Sequence, residues 1–220
     1  MRGSVARLAR MLLLGSLVCL VVSPVAAEVT KEDIQRAGAY FGLGINVGSA
    51  FELDSEADNP NPGTDVDVDP SFGNHIYAGY SFGSLDGLIP GVELGQWAPS
   101  IGGQMRFDYL GNFDLVENPG TEFARQRIWV LTWDAKLMAP SFANAQPYAL
   151  VGVGIMSADT RGDTTDDRDR GATIRVGGGI DVYLTKHIAL ALGISYLHPV
   201  ESNIEDFKHV AGDIGLAFHF

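Results

Sequence analysis

Residues 212–220, Gly-Asp-Ile-Gly-Leu-Ala-Phe-His-Phe, alternate with a period of two. Ile214, Leu216, Phe218 and Phe220 fall on one face. Asp213, Gly215, Ala217 and His219 fall on the other. Successive side chains of a strand point to opposite faces, so this segment is a strand with one apolar side and one small or polar side. The pattern constrains the fold because it recurs. Segments 39–51, 74–82, 104–110, 127–137, 148–157, 173–184 and 188–197 repeat it, giving eight strands in all.

The composition of the two faces narrows the class further. In 127–137, Trp129, Leu131, Trp133, Ala135 and Leu137 alternate with Ile128, Val130, Thr132, Asp134 and Lys136. In 188–197, Ile188, Leu190, Leu192, Ile194 and Tyr196 alternate with Ala189, Ala191, Gly193 and Ser195. A soluble sandwich buries its apolar face and shows water a strongly polar one. Here the second face is mostly small, which suits the tight interior of a small barrel. Strands of about ten residues suit a tilted membrane crossing. The sequence therefore predicts an all-β fold, a closed antiparallel transmembrane β-barrel of eight strands. Residues 88–97 fit least well. Read as the start of the third strand, they put Val92 and Leu94 outward on even positions, whereas Met105, Phe107 and Tyr109 are odd. A bulge or break near Pro99, Gly102 and Gly103 is then required. A ten-stranded barrel is the alternative.

The N-terminus sets the compartment. Arg2, Arg7 and Arg10 precede an apolar stretch, 11–22, and a small-residue site at Val25-Ala26-Ala27. Residues 1–27 read as a secretory signal peptide. The apolar stretch is short for a span of about 20 residues. Val18 before Cys19 argues against a lipid anchor there. Cleavage would remove the one cysteine, leaving neither disulfide nor thiolate chemistry. It would also remove three of the 15 basic residues and none of the 27 acidic ones, for a mature net charge of −15. Such acidity taken over the whole chain argues against nucleic acid or anionic lipid as a partner and is compatible with a surface that binds cations. Residues 28–38 form a polar lead-in with a short helical turn, and the barrel domain is 39–220.

The connections alternate in length. Residues 52–72, 111–122, 158–171 and 198–208 are long and polar; 139–146 and 185–187 are short. Tyr-Phe-Gly-Leu-Gly at Tyr40, Gln-Pro-Tyr-Ala-Leu-Val-Gly-Val-Gly at Gln146 and the terminal strand all resemble the eight-stranded outer-membrane barrel superfamily that includes OmpX and the transmembrane domain of OmpA. The resemblance covers the chain from Ala39 onward. It implies residence in the outer membrane of a Gram-negative cell, periplasmic termini and four external loops. It implies contact with outer-membrane lipid and lipopolysaccharide, and a C-terminal Phe read by the barrel assembly machinery, here Phe218 and Phe220. Members include adhesins, envelope stabilisers, narrow channels and a few lipid-modifying enzymes. The expected role is envelope structure or surface interaction through the loops, with an extracellular partner of unknown identity. A narrow porin-like channel is the alternative and a lipid A-modifying enzyme the third. Lipid A deacylases of this fold use a His-x-Ser pair; none of His75, His187, His198, His209 or His219 has serine two residues later. No catalytic residue, cofactor or metal site is expected, and the chain is expected not to be an enzyme.

Two clusters remain. Arg106, Asp108, Asp134, Lys136, Arg175, Asp181 and Asp213 share the interior face. Unpaired charges there would be costly, so they should pair, either as a filling salt-bridge network or as the lining of a narrow ion path. In the first loop, Asp65, Asp67 and Asp69 alternate like a calcium loop, but Pro70 and Ile76 stand where an EF-hand has glycine and glutamate. A solvated acidic loop or a weak cation site follows. Arg161-Gly162-Asp163 matches an integrin-binding tripeptide that is also ordinary turn chemistry.

Overall fold

The computed structural model describes residues 29–51, 66–68, 71–86, 94–117, 121–162, 166–200 and 208–220; the signal segment lies outside them. The strands, in chain order, are β1 (Gly38–Phe51), β2 (Val66–Val68), β3 (Ser71–Ser84), β4 (Ser100–Glu117), β5 (Thr121–Met138), β6 (Ala145–Gly162), β7 (Asp166–Thr185), β8 (Ile188–Pro199) and β9 (Lys208–His219). Eight of them run β4-β3-β1-β9-β8-β7-β6-β5, and a β4–β5 pairing closes the ring. All neighbours are antiparallel. The ring is an eight-stranded barrel and not a ten-stranded one. The short β2 stands outside it, pairing Val66–Val68 with Leu115–Glu117 at the far end of β4. The first described residues, from Val29, and the C-terminal Phe220 lie at the opposite end.

The faces follow the alternation. Phe41, Leu43 and Ile45 are exposed on the outside of β1, while Tyr40 and Asn46 are buried in the lumen. Val151, Val153 and Ile155 do the same on β6 opposite buried Leu150 and Met156. Closure rests on the terminal strand, which pairs with β1 from Tyr40↔His219 to Phe51↔Lys208. The Phe220 backbone N–H extends the ladder by donating to Ala39 O at 3.0 Å. Every backbone group in a closed ladder has a partner, as a lipid environment requires.

Three features depart from the sequence expectations. Residues 95–97 form a single 3-10 turn and the third ring strand begins at Ser100, so the strand expected over 88–97 is absent at its described end; 88–93 lie outside the described residues. Asp86 holds the returning chain by accepting from Leu94 N at 2.8 Å and Gly95 N at 3.3 Å. The even-odd conflict does not arise in the described residues, because Leu94 stays outside the ladder and Val92 lies outside the described residues.

The second departure lies at the far end. Most of 111–122 and 158–171, expected as loops, is paired strand; 118–120 and 163–165 lie outside the described residues. A ladder is made by backbone groups, so it persists where the apolar face stops. Cross-strand opposites such as Arg127↔Asp159↔Arg168 replace the apolar pairs there. The change of parity in β4 occurs between Tyr109 and Asn112. Gly111 sits there at φ 86, a left-handed conformation that glycine adopts without strain.

The third departure concerns the lead-in, which is folded against the barrel. Helix α1 (Lys31–Gln35) carries a capping box: Thr30 Oγ1 accepts from Asp33 N, and Asp33 accepts from Thr30 N. Its Ile34 inserts into the barrel mouth against Tyr40, Tyr77, Tyr183, Ala189 and Ala217. Arg36 Nη2 then reaches His187 Nδ1 at 3.1 Å and Lys186 O at 3.4 Å.

Candidate functional site

The lumen is filled in three layers. Nearest the termini is the aromatic layer under Ile34, where His219 stacks on Tyr40 at 5.6 Å and tilts against Tyr183 at 5.1 Å. At the far end is an apolar layer of Leu110, Ile128, Val130, Met156, Ala158 and Leu197, each no more than 1 % exposed. Between them lies the charged belt.

All seven charged residues expected on the interior face enter this belt, from β4, β5, β7 and β9. Arg106 donates to Asp108 from Nε at 3.0 Å and from Nη2 at 2.8 Å, and it also bonds Asp213. Arg175, fully buried, bonds Asp108 from the other side and lies 3.8 Å from Asp134. Asp108 is thus held between two guanidiniums. Lys136 donates to Asp181 at 2.7 Å and stands 4.0 Å from the centroid of the Tyr148 ring. Gly152 lies between Asp134 and Arg175 in the register and makes room for both; a Cβ there would meet the Asp134 carboxylate.

Neutral residues complete the network. Gln104 Nε2 donates to Asp134 at 3.0 Å and its Oε1 accepts from Tyr40 at 3.2 Å. Asn46 reaches Asp108 at 3.4 Å. His75 lies 4.0 Å from Asp213 and stacks on Tyr77. The alternation of segments 74–82 and 104–110 puts His75 and Gln104 on the interior face but by itself assigns them no role. The available signal was parity: a buried amide two residues from a buried arginine needs a partner. Three cations face four carboxylates in the belt. The packing leaves a cavity of about 10 Å³ among His75, Tyr77, Arg106, Lys136, Tyr148 and Asp213. That is room for one water molecule.

Other expected sites are placed differently. Asp65 and Asp69 lie outside the described residues, and Asp67 is in β2 opposite Val116. Arg161 and Gly162 end β6 as paired strand, and Asp163 lies outside the described residues. Phe220 is 72 % exposed at the terminal end. Among the described residues no group of three His, Cys, Asp or Glu side chains is set to hold a metal ion.

Comparison with known proteins agrees with this geometry. The profile of the outer membrane protein beta-barrel domain matches residues 15–220. Neisserial surface protein A (NspA) is similar in structure, with a TM-score of 0.57, 14 % identity, and coverage of 84 % of this chain and 99 % of that one. Ail, the attachment invasion locus protein of Yersinia pestis, solved with the heparin analogue sucrose octasulfate, aligns with a TM-score of 0.52 and 12 % identity over 84 % of this chain and 99 % of that one. At such identities the likeness is one of fold. No curated protein sequence matches the chain. The closed eight-stranded ring and the profile match together place this chain in the outer-membrane β-barrel domain family, a protein of the cell outer membrane.

Proposed function

We propose that this barrel serves envelope structure and surface interaction, acting through its external end rather than through its lumen. The observation that supports the reading is the filled interior: aromatic, charged and apolar layers follow one another along the axis. A wire of charges favours a narrow ion path, but the dry layer of Leu110, Ile128, Val130, Met156 and Leu197 above it opposes hydrated ions. The reading extends to a non-catalytic chain, since His75 and His209 are sealed inside and no His-x-Ser pair exists. It also assigns Phe218 and Phe220 as the signal read by the assembly machinery. The test is single-channel recording of the refolded protein in a planar bilayer. A folded, heat-modifiable and electrically silent barrel is expected. Discrete reproducible openings would overturn the structural reading in favour of a channel. Lipid A whose acyl pattern changes with expression of the protein would overturn the non-catalytic one.

A further inference from the structure

We infer that the outward face of β5, β6 and β7 just beyond Trp129 binds the phosphate groups of the outer leaflet's glycolipid. The inference begins from how few cations the chain has and where they lie. After residue 27 there are 12 lysines and arginines against 27 acids. Three line the lumen and three sit at the end with the termini. Of the six at the far end, five (Arg125, Arg127, Arg161, Arg168 and Arg170) lie on these three strands, and the sixth, Lys208, opens β9. An acidic protein has gathered its external cations on one wall.

The register makes them a patch. Arg127 pairs with Asp159 and Asp159 with Arg168; one step nearer the membrane, Trp129 pairs with Ser157 and Ser157 with Arg170. One step further out, Arg125 pairs with Arg161. The Arg127, Arg168 and Arg170 side chains are exposed. Arg168 grips both oxygens of Asp159, with Nη2–Oδ2 at 2.9 Å. The Arg170 guanidinium stands 5.9 Å from the centroid of the Trp129 ring. In the register Arg127 and Arg168 flank Asp159 with Arg170 one row nearer the membrane, and the ion pair and the ring contact hold Arg168 and Arg170 in place.

The patch begins where the apolar belt ends. The next cross-strand rows toward the termini are Leu131↔Ile155↔Ala172 and Trp133↔Val153↔Ile174, with Trp133, Val153 and Ile155 exposed to lipid. Tryptophan at such a boundary marks the headgroup level. A ligand seated here has acyl chains on the belt and an anionic head at the arginines. The guanidinium fork matches phosphate oxygens two at a time. A soluble polyanion would gain nothing from the belt and would meet the field of a mature chain at −15. The site gives the envelope role a lipid partner. It fails separately from that role, because a conducting lumen would not alter lipid binding.

The experiment uses protein purified from membranes in detergent and titrated with bisphosphorylated lipid A, read by native mass spectrometry. Lipid A stripped of its phosphates should bind at least about tenfold more weakly. The R127Q/R168Q/R170Q protein should lose a similar factor, and K208Q should lose none. Boiled and unboiled gel mobilities check that the variants fold; if the triple variant does not, R170Q alone should weaken binding measurably. Equal binding of the two lipids, unchanged binding by the arginine variants, or displacement of lipid A by a soluble sulfated oligosaccharide at equal concentration would each overturn the site.

Discussion

Arg175 is fully buried and bonds an Asp108 that is 1 % exposed and already held by Arg106. Removing one partner of such a pair leaves an uncompensated charge, which costs about 3–5 kcal/mol. Arg175→Ala should therefore lower the unfolding free energy of the refolded barrel, read by urea titration, by that order. Because Asp108 would still have Arg106, the loss should sit toward the lower end. The Arg175→Ala/Asp108→Ala double variant should lose less than the sum of the two singles, since both break one network. Additive losses would show that the two residues are energetically independent. Gly111 makes a different kind of demand. At φ 86, with Phe72 O against the place a Cβ would occupy, an alanine meets both backbone strain and a clash. Gly111→Ala should cost about 1–3 kcal/mol. An unchanged unfolding midpoint would mean that the bulge at Tyr109/Asn112 relaxes freely.

Strands were legible wherever lipid sets one face and unreadable where it does not. Phe41, Leu43, Ile45 and their partners announce β1 because the apolar side must meet acyl chains. Beyond Trp129 neither side must, so Asp159 and Arg168 read as a loop although their backbones pair. The charged belt was legible from parity alone, but its sharing of Asp108 between Arg106 and Arg175 was not, because the two arginines are 69 positions apart in the chain and meet only on closure. Helix α1 was half legible. Its capping box is local, but the docking of Ile34 depends on an aromatic mouth built from β1, β3 and β7. Ile34→Asp should leave barrel mobility on gels unchanged and expose the segment around residues 29–37 to protease; continued protection would mean that Arg36 alone anchors it. The cap is also acid-sensitive. The hydrogen bond from the Thr30 side chain, then that from its backbone N–H, holds the Asp33 carboxyl below its ordinary value of 3.8. A lowered folded pKa means that the stabilisation is complete above the unfolded value and disappears as pH falls through the folded one. Protection of residues 29–37 should thus hold from neutral pH down to about 4 and weaken below it, with Asp33→Asn lacking that acid dependence.

The whole molecule closes its lumen three times over, and the layers differ in kind. Ile34 with Tyr40, Tyr77 and Tyr183 blocks by volume. The belt blocks by pairing, since an ion entering it must compete with Arg106, Arg175 and Lys136 for carboxylates they already hold. The layer of Leu110, Ile128, Val130, Met156 and Leu197 blocks by dryness. Barriers in series do not add a path when one is removed. Deleting residues 28–36 should leave a planar bilayer silent, and so should Met156→Ala/Leu197→Ala, which empties space in the dry layer but adds no polar group to draw water in. The second variant should nevertheless lose stability, at about 2–5 kcal/mol for each buried side chain cut to alanine, because closely packed neighbours relax only partly into the space. Conductance and stability therefore separate the layers: the dry layer contributes cohesion that a denaturant midpoint reads, and closure that no single lesion reveals. Openings on deletion of 28–36 alone would mean that neither the paired charges nor the apolar layer resists an ion, and that the docked helix is the only gate.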